Sequence, residues 1–207
     1  MFTGIITHLA KVITTEKSSK NDLFLTLRPQ IKLTHIPQIG CSISCNGICL
    51  TLTKFDQKTQ NLSFFASDET ISKSNISSWN IGNLINIEFA LKMGDELGGH
   101  LVSGHVDNVI SLLKKEKINE DSWKFTLAKP KNLAPFIAPK GSIVLNGVSL
   151  TINEVLPENF SVNIIKHTFC HTNFSDSKIG DKINIEIDII ARYVAQILKN
   201  RQQNSPF

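Results

Sequence analysis

The chain contains no apolar run near the roughly 20 residues that a helix needs to cross a bilayer. Its first residues, MFTGIITHLA, lack the basic stretch and long apolar core of a secretory signal, so a cytoplasmic protein with no membrane association is expected. Charge of one sign is lacking too. The 22 basic and 18 acidic residues give a net +4 at pH 7, and the densest basic run, Lys114, Lys115 and Lys117, is interrupted by Glu116. Such scattering fits a solvated surface and offers no stripe for nucleic acid. Glycine-rich phosphate loops are missing: Gly94 and the pair Gly98-Gly99 fit neither a P-loop nor a dinucleotide fingerprint, which excludes nucleotide hydrolysis and Rossmann chemistry. Cysteine is scarce. Three of the four, Cys41, Cys45 and Cys49, recur every fourth residue, and in one strand such neighbours lie about 13 Å apart, too far for a disulfide or a shared tetrahedral metal. His100 and His105, five apart, fall on opposite faces of a strand, which disfavours a two-histidine metal site. Neither a metal nor a cofactor is expected.

What the chain does have is a copy of itself. At 207 residues, 41% hydrophobic and 19% charged, it is long enough for two packed domains of about 100 residues. Shifted by 100, MFTGIIT lies over LVSGHVD and CSISCNGICLT over GSIVLNGVSLT, with Ser42, Ile43, Asn46, Gly47, Leu50 and Thr51 recurring. Beyond a loop two residues shorter, the shift becomes 98, and IGNLINIE meets IGDKINIE; Asn61, Ser63, Thr70 and Asn75 meet Asn159, Ser161, Thr168 and Asn173. Each copy reads as short strands with an Asn-Gly turn and period-two alternation in segments such as LINIEFA and KINIEID. About six antiparallel strands in 90 residues close most economically into a barrel, because closure removes exposed edges. From Ile189 the pattern changes: Ile190, Tyr193 or Val194, Ile197 and Leu198 follow helical spacing, with Arg192, Gln196 and Lys199 opposite. Two readings stand for this helix, a cover for its own barrel or a contact with another subunit.

At MFTGI, the NGICLT and NGVSLT pair, GGHLVSGHVD and the closing NIEID, the chain resembles the riboflavin synthases of the α-chain type, with tandem lumazine-binding domains, over essentially its whole length. The resemblance implies two tandem, similar six-stranded antiparallel Greek-key β-barrels plus a C-terminal α-helix. It divides the chain into 1–97 and 98–188, each a lumazine-binding barrel, and 189–207, a trimerisation helix and tail. The implied reaction is a dismutation of two 6,7-dimethyl-8-ribityllumazine molecules to riboflavin and 5-amino-6-(D-ribitylamino)uracil. The implied assembly is a homotrimer with each active site between barrels of neighbouring subunits, and association with lumazine synthase is left open.

By the same resemblance the first pocket takes Gly4, Ile5 and Ile6, then Cys49, Leu50 and Thr51, then a strand of Phe65, Ala66, Ser67, Asp68, Glu69 and Thr70. The second takes the copies: Gly104, His105 and Val106; Ser149, Leu150 and Thr151; Asn163, Ile164, Ile165, Lys166, His167 and Thr168; and Lys140 alongside. Donor and acceptor are one compound, so positions where the copies differ must tell them apart: Phe2 against Val102, Ile5 against His105, Gly40 against Lys140, Cys49 against Ser149, Glu69 against His167, Ala90 against Asp188. His105 is the candidate base for the acidic 7-methyl group of the lumazine. Ser149, with Ser42 and Cys49, is the candidate for placing a water or hydroxyl nucleophile. Asp188 is read as orienting a partner or accepting a proton, and Phe2 as stacking on a ring face. Plainer readings stay open, a backbone hydrogen bond for His105 and core packing for Cys49. A non-catalytic lumazine or flavin antenna, and a reductase flavin barrel, are the rival functions.

Overall fold

The structure is a computed structural model that describes residues 1–18 and 21–203; the end of the expected tail, 204–207, lies outside the described residues. The first copy folds as β1 (His8–Lys17), β2 (Leu23–Pro29), β3 (Ser42–Cys45), β4 (Ile48–Asp56), β5 (Asn61–Ala66), a short helix α1 (Asp68–Lys73), and β6 (Leu84–Phe89). The second repeats it as β7 (Asn108–Asn119), β8 (Ser122–Ala128), β9 (Ser142–Leu145), β10 (Val148–Val155), β11 (Asn159–Ile165), α2 (Lys166–Cys170) and β12 (Lys182–Ile187); the helix α3 (Ile189–Gln203) follows. Each copy closes into an antiparallel barrel in the order β1-β2-β5-β4-β3-β6, and its counterpart runs β7-β8-β11-β10-β9-β12. Strands β3, β4 and β5 follow one another through hairpins while β2 lies beside β5, which is the Greek-key arrangement expected.

Alternation decides which face goes inside. Along β2, Leu23, Leu25 and Leu27 are buried while Phe24 is exposed, and along β11, Phe160, Val162 and Ile164 point inward. Leu52, Leu62, Phe64 and Ile87 complete the first interior, and Phe125, Leu127, Ile152 and Ile185 the second. Both barrels are therefore filled with side chains, and any ligand must bind on their outer faces or at their junction.

That junction is a pseudo-two-fold built from the repeated Asn-Gly turns. Asn46 (φ 47°) and Gly47 (φ 79°) make the β3–β4 turn, and Asn146 (φ 46°) and Gly147 (φ 83°) make the β9–β10 turn, the left-handed pair a two-residue hairpin requires. The glycines meet back to back: a Cβ on Gly47 would lie 2.8 Å from the Gly147 nitrogen. Around them the asparagine side chains cross between copies. Asn86 Nδ2 donates to the Asn146 carbonyl at 2.9 Å and Asn184 Nδ2 to the Asn46 carbonyl at 2.9 Å. The Asn75 N–H donates to Asn184 Oδ1 at 2.8 Å, and the Asn173 N–H to Asn86 Oδ1 at 2.7 Å.

Four details differ from the sequence expectations. The stretch Phe65–Thr70 is not one strand: β5 ends at Ala66, and Ser67 caps α1 by accepting from the Thr70 N–H. Likewise β11 ends at Ile165 and α2 begins at Lys166. Cys41, Cys45 and Cys49 do not share a strand, because the Asn46-Gly47 turn intervenes; all four thiols are free, and burial pushes the Cys45 thiol well up. Residues 98–107 form no strand beyond a single bridge between Phe2 and Val102.

Helix α3 does not cover its own barrel with its apolar stripe. Ile190, Tyr193 and Ile197 are 63, 62 and 55% exposed. The polar Arg192 turns inward instead, and its guanidinium holds both oxygens of Asp107 at 2.8 and 3.0 Å.

The asparagine junction is testable. Asn86→Ala removes an acceptor from the half-buried Asn173 N–H and a donor from the Asn146 carbonyl, so urea unfolding is expected to show a loss of about 2–4 kcal/mol. The barrels should then unfold in separate steps; an unchanged single transition would show that the amides do not couple them.

Candidate active sites at the barrel junction

The segment before each barrel crosses to the other copy. Glycine makes the crossing possible: Gly4 (φ 77°) and Gly104 (φ 79°) adopt a left-handed backbone, and a Cβ would come within 2.6 Å of Ser149 Cβ or 2.7 Å of Cys49 Cβ. The Ser149 N–H donates to the Gly4 carbonyl at 2.8 Å, and the Cys49 N–H donates to the Gly104 carbonyl at 2.8 Å. Ile6 accordingly packs on the second barrel's core and Val106 on the first's.

A buried carboxylate holds each crossing. Glu88 accepts from the Thr3 N–H (2.6 Å), the Thr3 hydroxyl (2.7 Å) and the Gly4 N–H (2.9 Å). Glu186 does the same for Ser103 and Gly104 at 2.7, 2.7 and 2.9 Å. Burial pushes both carboxyls above their ordinary range, and the donated hydrogen bonds pull the other way.

Two outer-face pockets result. The second-barrel pocket, about 390 Å³, is lined by Ser142, Ser149, Thr151, Asn163, Ile165 and Thr168, and by Ile5 with Gly98 and Gly99. The first-barrel pocket, about 190 Å³, is lined by Ile48, Cys49, Glu69, Thr70, Lys73 and Ser74, and by Gly104, His105 and Val106. A larger cleft of about 450 Å³ lies over the asparagine junction, where the amides of Asn75 and Asn173 already donate to the carbonyls of Lys182 and Leu84.

The resemblance implies Gly4–Ile6 in the first pocket and Gly104–Val106 in the second; the structure exchanges them, because each crossing segment meets the other copy's turn-and-strand edge. His105 thus stands beside Cys49 in the first-barrel pocket, with its ring exposed and free of any backbone hydrogen bond among the described residues. Phe2 is completely buried between the barrels with Val102 and Val144, so it cannot stack on a ligand in either pocket; its ring packs where it holds Gly104 in place.

The remaining candidates divide. Leu50 points into the first core, as do Ala66 and, in the second, Ile164. Leu150 packs at the second core's edge and also lines its pocket. Ser42 pairs with Thr51, which faces outward on β4. Phe65 lies exposed against Phe24, with Ser67 and Asp68 following at the start of α1. Lys140 sits at positive φ in a turn whose N–H donates to the Ile152 carbonyl, outside the pocket lining. Lys166 pairs with Asp121, and His167 stacks on His171, so both turn away. Asp188 caps α3, with Oδ1 accepting from the Ile190 N–H at 2.8 Å.

Sequence reasoning missed His100. Its Nδ1 lies 2.8 Å from Ser149 Oγ, and burial lowers its pKa while the Asp188 charge opposes the shift. It stood in the GGHLVSGH stretch but was weighed only as a metal ligand. Among the described residues no cluster of histidine, cysteine or carboxylate side chains is spaced to hold a metal.

Residues 3–90 and 103–188 each match the family model of the lumazine binding domain. The chain is 43% identical over 203 residues to the riboflavin synthase of Brucella abortus (strain 2308), covering 95% of this chain and 98% of that one. It is 32% identical to the riboflavin synthase of Bacillus subtilis (strain 168), covering 99% and 93%. A solved structure of LumP complexed with riboflavin superposes with a TM-score of 0.79 at 23% identity, covering 90% of this chain and 99% of that one, a likeness of fold.

The crossing makes an unusual expectation. In Glu88→Gln the amide NH₂ must face an N–H or hydroxyl donor, costing about 2–4 kcal/mol and freeing the Thr3–Ile5 segment. Although Glu88 belongs to the first barrel, riboflavin titration followed by amide NMR should then lose the response of Thr151 and Asn163 in the second pocket before that of Thr70. Loss confined to Thr70 would refute the exchange.

Proposed function

The chain belongs to the riboflavin synthase family, whose lumazine binding domain it carries twice, and on that premise we propose how its pockets perform the dismutation. Two 6,7-dimethyl-8-ribityllumazine molecules enter; one gives a four-carbon unit to the other, and riboflavin and 5-amino-6-(D-ribitylamino)uracil leave. The products together contain the atoms of the two substrates, so the reaction balances without an external oxidant. The observation that carries the reading is a pair of pockets alike in backbone and different in chemistry: Cys49 with His105 in one, Ser149 with His100 in the other.

Each pocket takes one lumazine. The N–H and C=O groups of β4 and β10, reached through Cys49 to Thr51 and Ser149 to Thr151, read the pyrimidine edge, and polar groups such as Thr70, Asn163 and Thr168 take the ribityl chain. His105 removes the 7-methyl proton of the lumazine beside it, a role that its exposed, unengaged ring supports. Ser149 places the nucleophile in the other pocket, and Ser42, paired with Thr51, and Cys49 are the corresponding groups on the first barrel. Asp188 acts through the imidazole of His100.

The two pockets of one chain share no lining residue, so carbon transfer brings the first barrel of one chain against the second barrel of the next. The exposed stripe of α3, clamped by Arg192 to Asp107, then holds a homotrimer together, and holding two substrates in register supplies roughly 7–11 kcal/mol of the barrier reduction. We place the reaction in the cytoplasm, in reach of a lumazine synthase. The antenna reading draws only on a likeness of fold at 22–23% identity, whereas relatives 32–43% identical over nearly the whole chain are named riboflavin synthase.

Incubated with 6,7-dimethyl-8-ribityllumazine and no other reagent, the protein is expected to release riboflavin over many turnovers, followed by its absorbance; tight binding without turnover would make it a carrier. Removal of residues 189–207 should give monomers in sedimentation and abolish turnover while leaving each pocket able to bind riboflavin. A persistent trimer would remove α3 from the assembly.

A further inference from the structure

Ser149 and Cys49 occupy the same place in the two copies, but their surroundings differ. Cys49 makes no side-chain hydrogen bond among the described residues. Ser149 Oγ lies 2.8 Å from His100 Nδ1, the one hydrogen-bond partner of that hydroxyl among the described residues. The pair is held tightly. The His100 N–H donates to the Thr3 carbonyl at 3.1 Å, and a Cβ on Gly99 would lie 2.9 Å from both Cβ and Oγ of Ser149, so only glycine brings the histidine this close.

The other ring nitrogen, Nε2, is buried and has no partner. Burial keeps the ring neutral near pH 7, and Asp188 is the charged group that bears on it. A neutral imidazole carries one N–H and one lone pair. Of the two neutral tautomers, the one with its N–H at Nε2 leaves the lone pair on Nδ1, facing the Ser149 hydroxyl. Nδ1 is then the acceptor, and the Ser149 hydroxyl is the donor.

We propose that His100 is a positioning residue acting through Ser149: Nδ1 accepts the Ser149 hydrogen, which turns the oxygen lone pairs into the second-barrel pocket and makes it the half-site that activates water. This rests on the riboflavin synthase reading. Water there donates to Ser149 Oγ; as its oxygen bonds to a ring carbon of the lumazine, the C=N electron pair moves to nitrogen. The water proton passes to Oγ and the Ser149 proton to Nδ1, leaving an imidazolium in the field of Asp188. When water leaves, both protons return. In the first pocket Cys49 has no hydrogen-bonded imidazole, since His105 is exposed and not bonded to it among the described residues, so the copies acquire different roles while binding the same molecule.

The test combines kinetics with the nitrogen NMR of the histidine ring in the full-length protein. His100→Leu should lower kcat about 10- to 100-fold, with riboflavin affinity changed less than about threefold. Combined with Ser149→Ala it should be no slower than Ser149→Ala alone. His100→Asn, whose Oδ1 can accept from Ser149 but cannot take its proton, should bind normally, recover part of kcat, and lose the acidic limb of the kcat–pH profile. In the unliganded protein ¹⁵N shifts should show the Nε2–H tautomer, altered by Ser149→Ala. An Nδ1–H tautomer, or wild-type kcat and pH profile in His100→Leu, would overturn the proposal. If the wild-type protein turns over no lumazine, the reaction reading fails, and the tautomer alone decides whether His100 accepts from Ser149.

Discussion

Six asparagines, Asn46, Asn75, Asn86 and their copies Asn146, Asn173 and Asn184, set the geometry on which the site depends. Their amides bond backbone groups of the opposite copy and of their own hairpin, and Gly47 and Gly147 touch between them. A buried amide must find partners, since an unmade hydrogen bond costs about 1–3 kcal/mol. Because each amide finds them across the junction, the barrels have one relative orientation. Only with that orientation fixed can the segments at Gly4 and Gly104 reach the neighbouring copy and be held there by Glu88 and Glu186. The carboxylates anchor the segments, the segments complete the pockets, and the pockets place the reactive groups.

A duplicated fold supplies two matching surfaces for two identical substrates, and chemistry then needs a difference. The backbone is nearly indifferent to which copy it belongs to: the Gly4–Ser149 and Gly104–Cys49 bonds are both 2.8 Å. The side chains are not. Thiol stands against hydroxyl, and an exposed imidazole at His105 against a half-buried one at His100. Symmetric binding with asymmetric reactivity is what a dismutation of one compound requires.

The fold was largely legible in the chain because its signals are local and occur twice. Alternation in LINIEFA and KINIEID, the Asn-Gly turns and the 100-residue offset each act over a few residues, and the repeat made chance agreement improbable. The ends of β5 and β11 were not legible, since Ser67 reads equally as a strand residue or as a helix cap until the hydrogen bond from Thr70 is seen. Which pocket a residue serves was less legible still. Gly4 and Cys49 lie in one copy, and nothing in their spacing reveals that each pairs with the other copy's partner. Phe2 was read as a stacking surface because it is aromatic and near the start, whereas the packing of Val102 and Val144 buries it. His100 was overlooked because its importance comes from a contact with Ser149, 49 residues away along the chain.

Each pocket is built by both copies of the repeat. A crystal structure of the protein with 6,7-dimethyl-8-ribityllumazine or riboflavin bound tests it directly. The account predicts a ligand on the outer face of β10 and β11 touching Ile5 of the same chain, and another on the first barrel touching His105 of the same chain. A ligand on β10 and β11 that touches His105, or one seated inside a barrel, would contradict it.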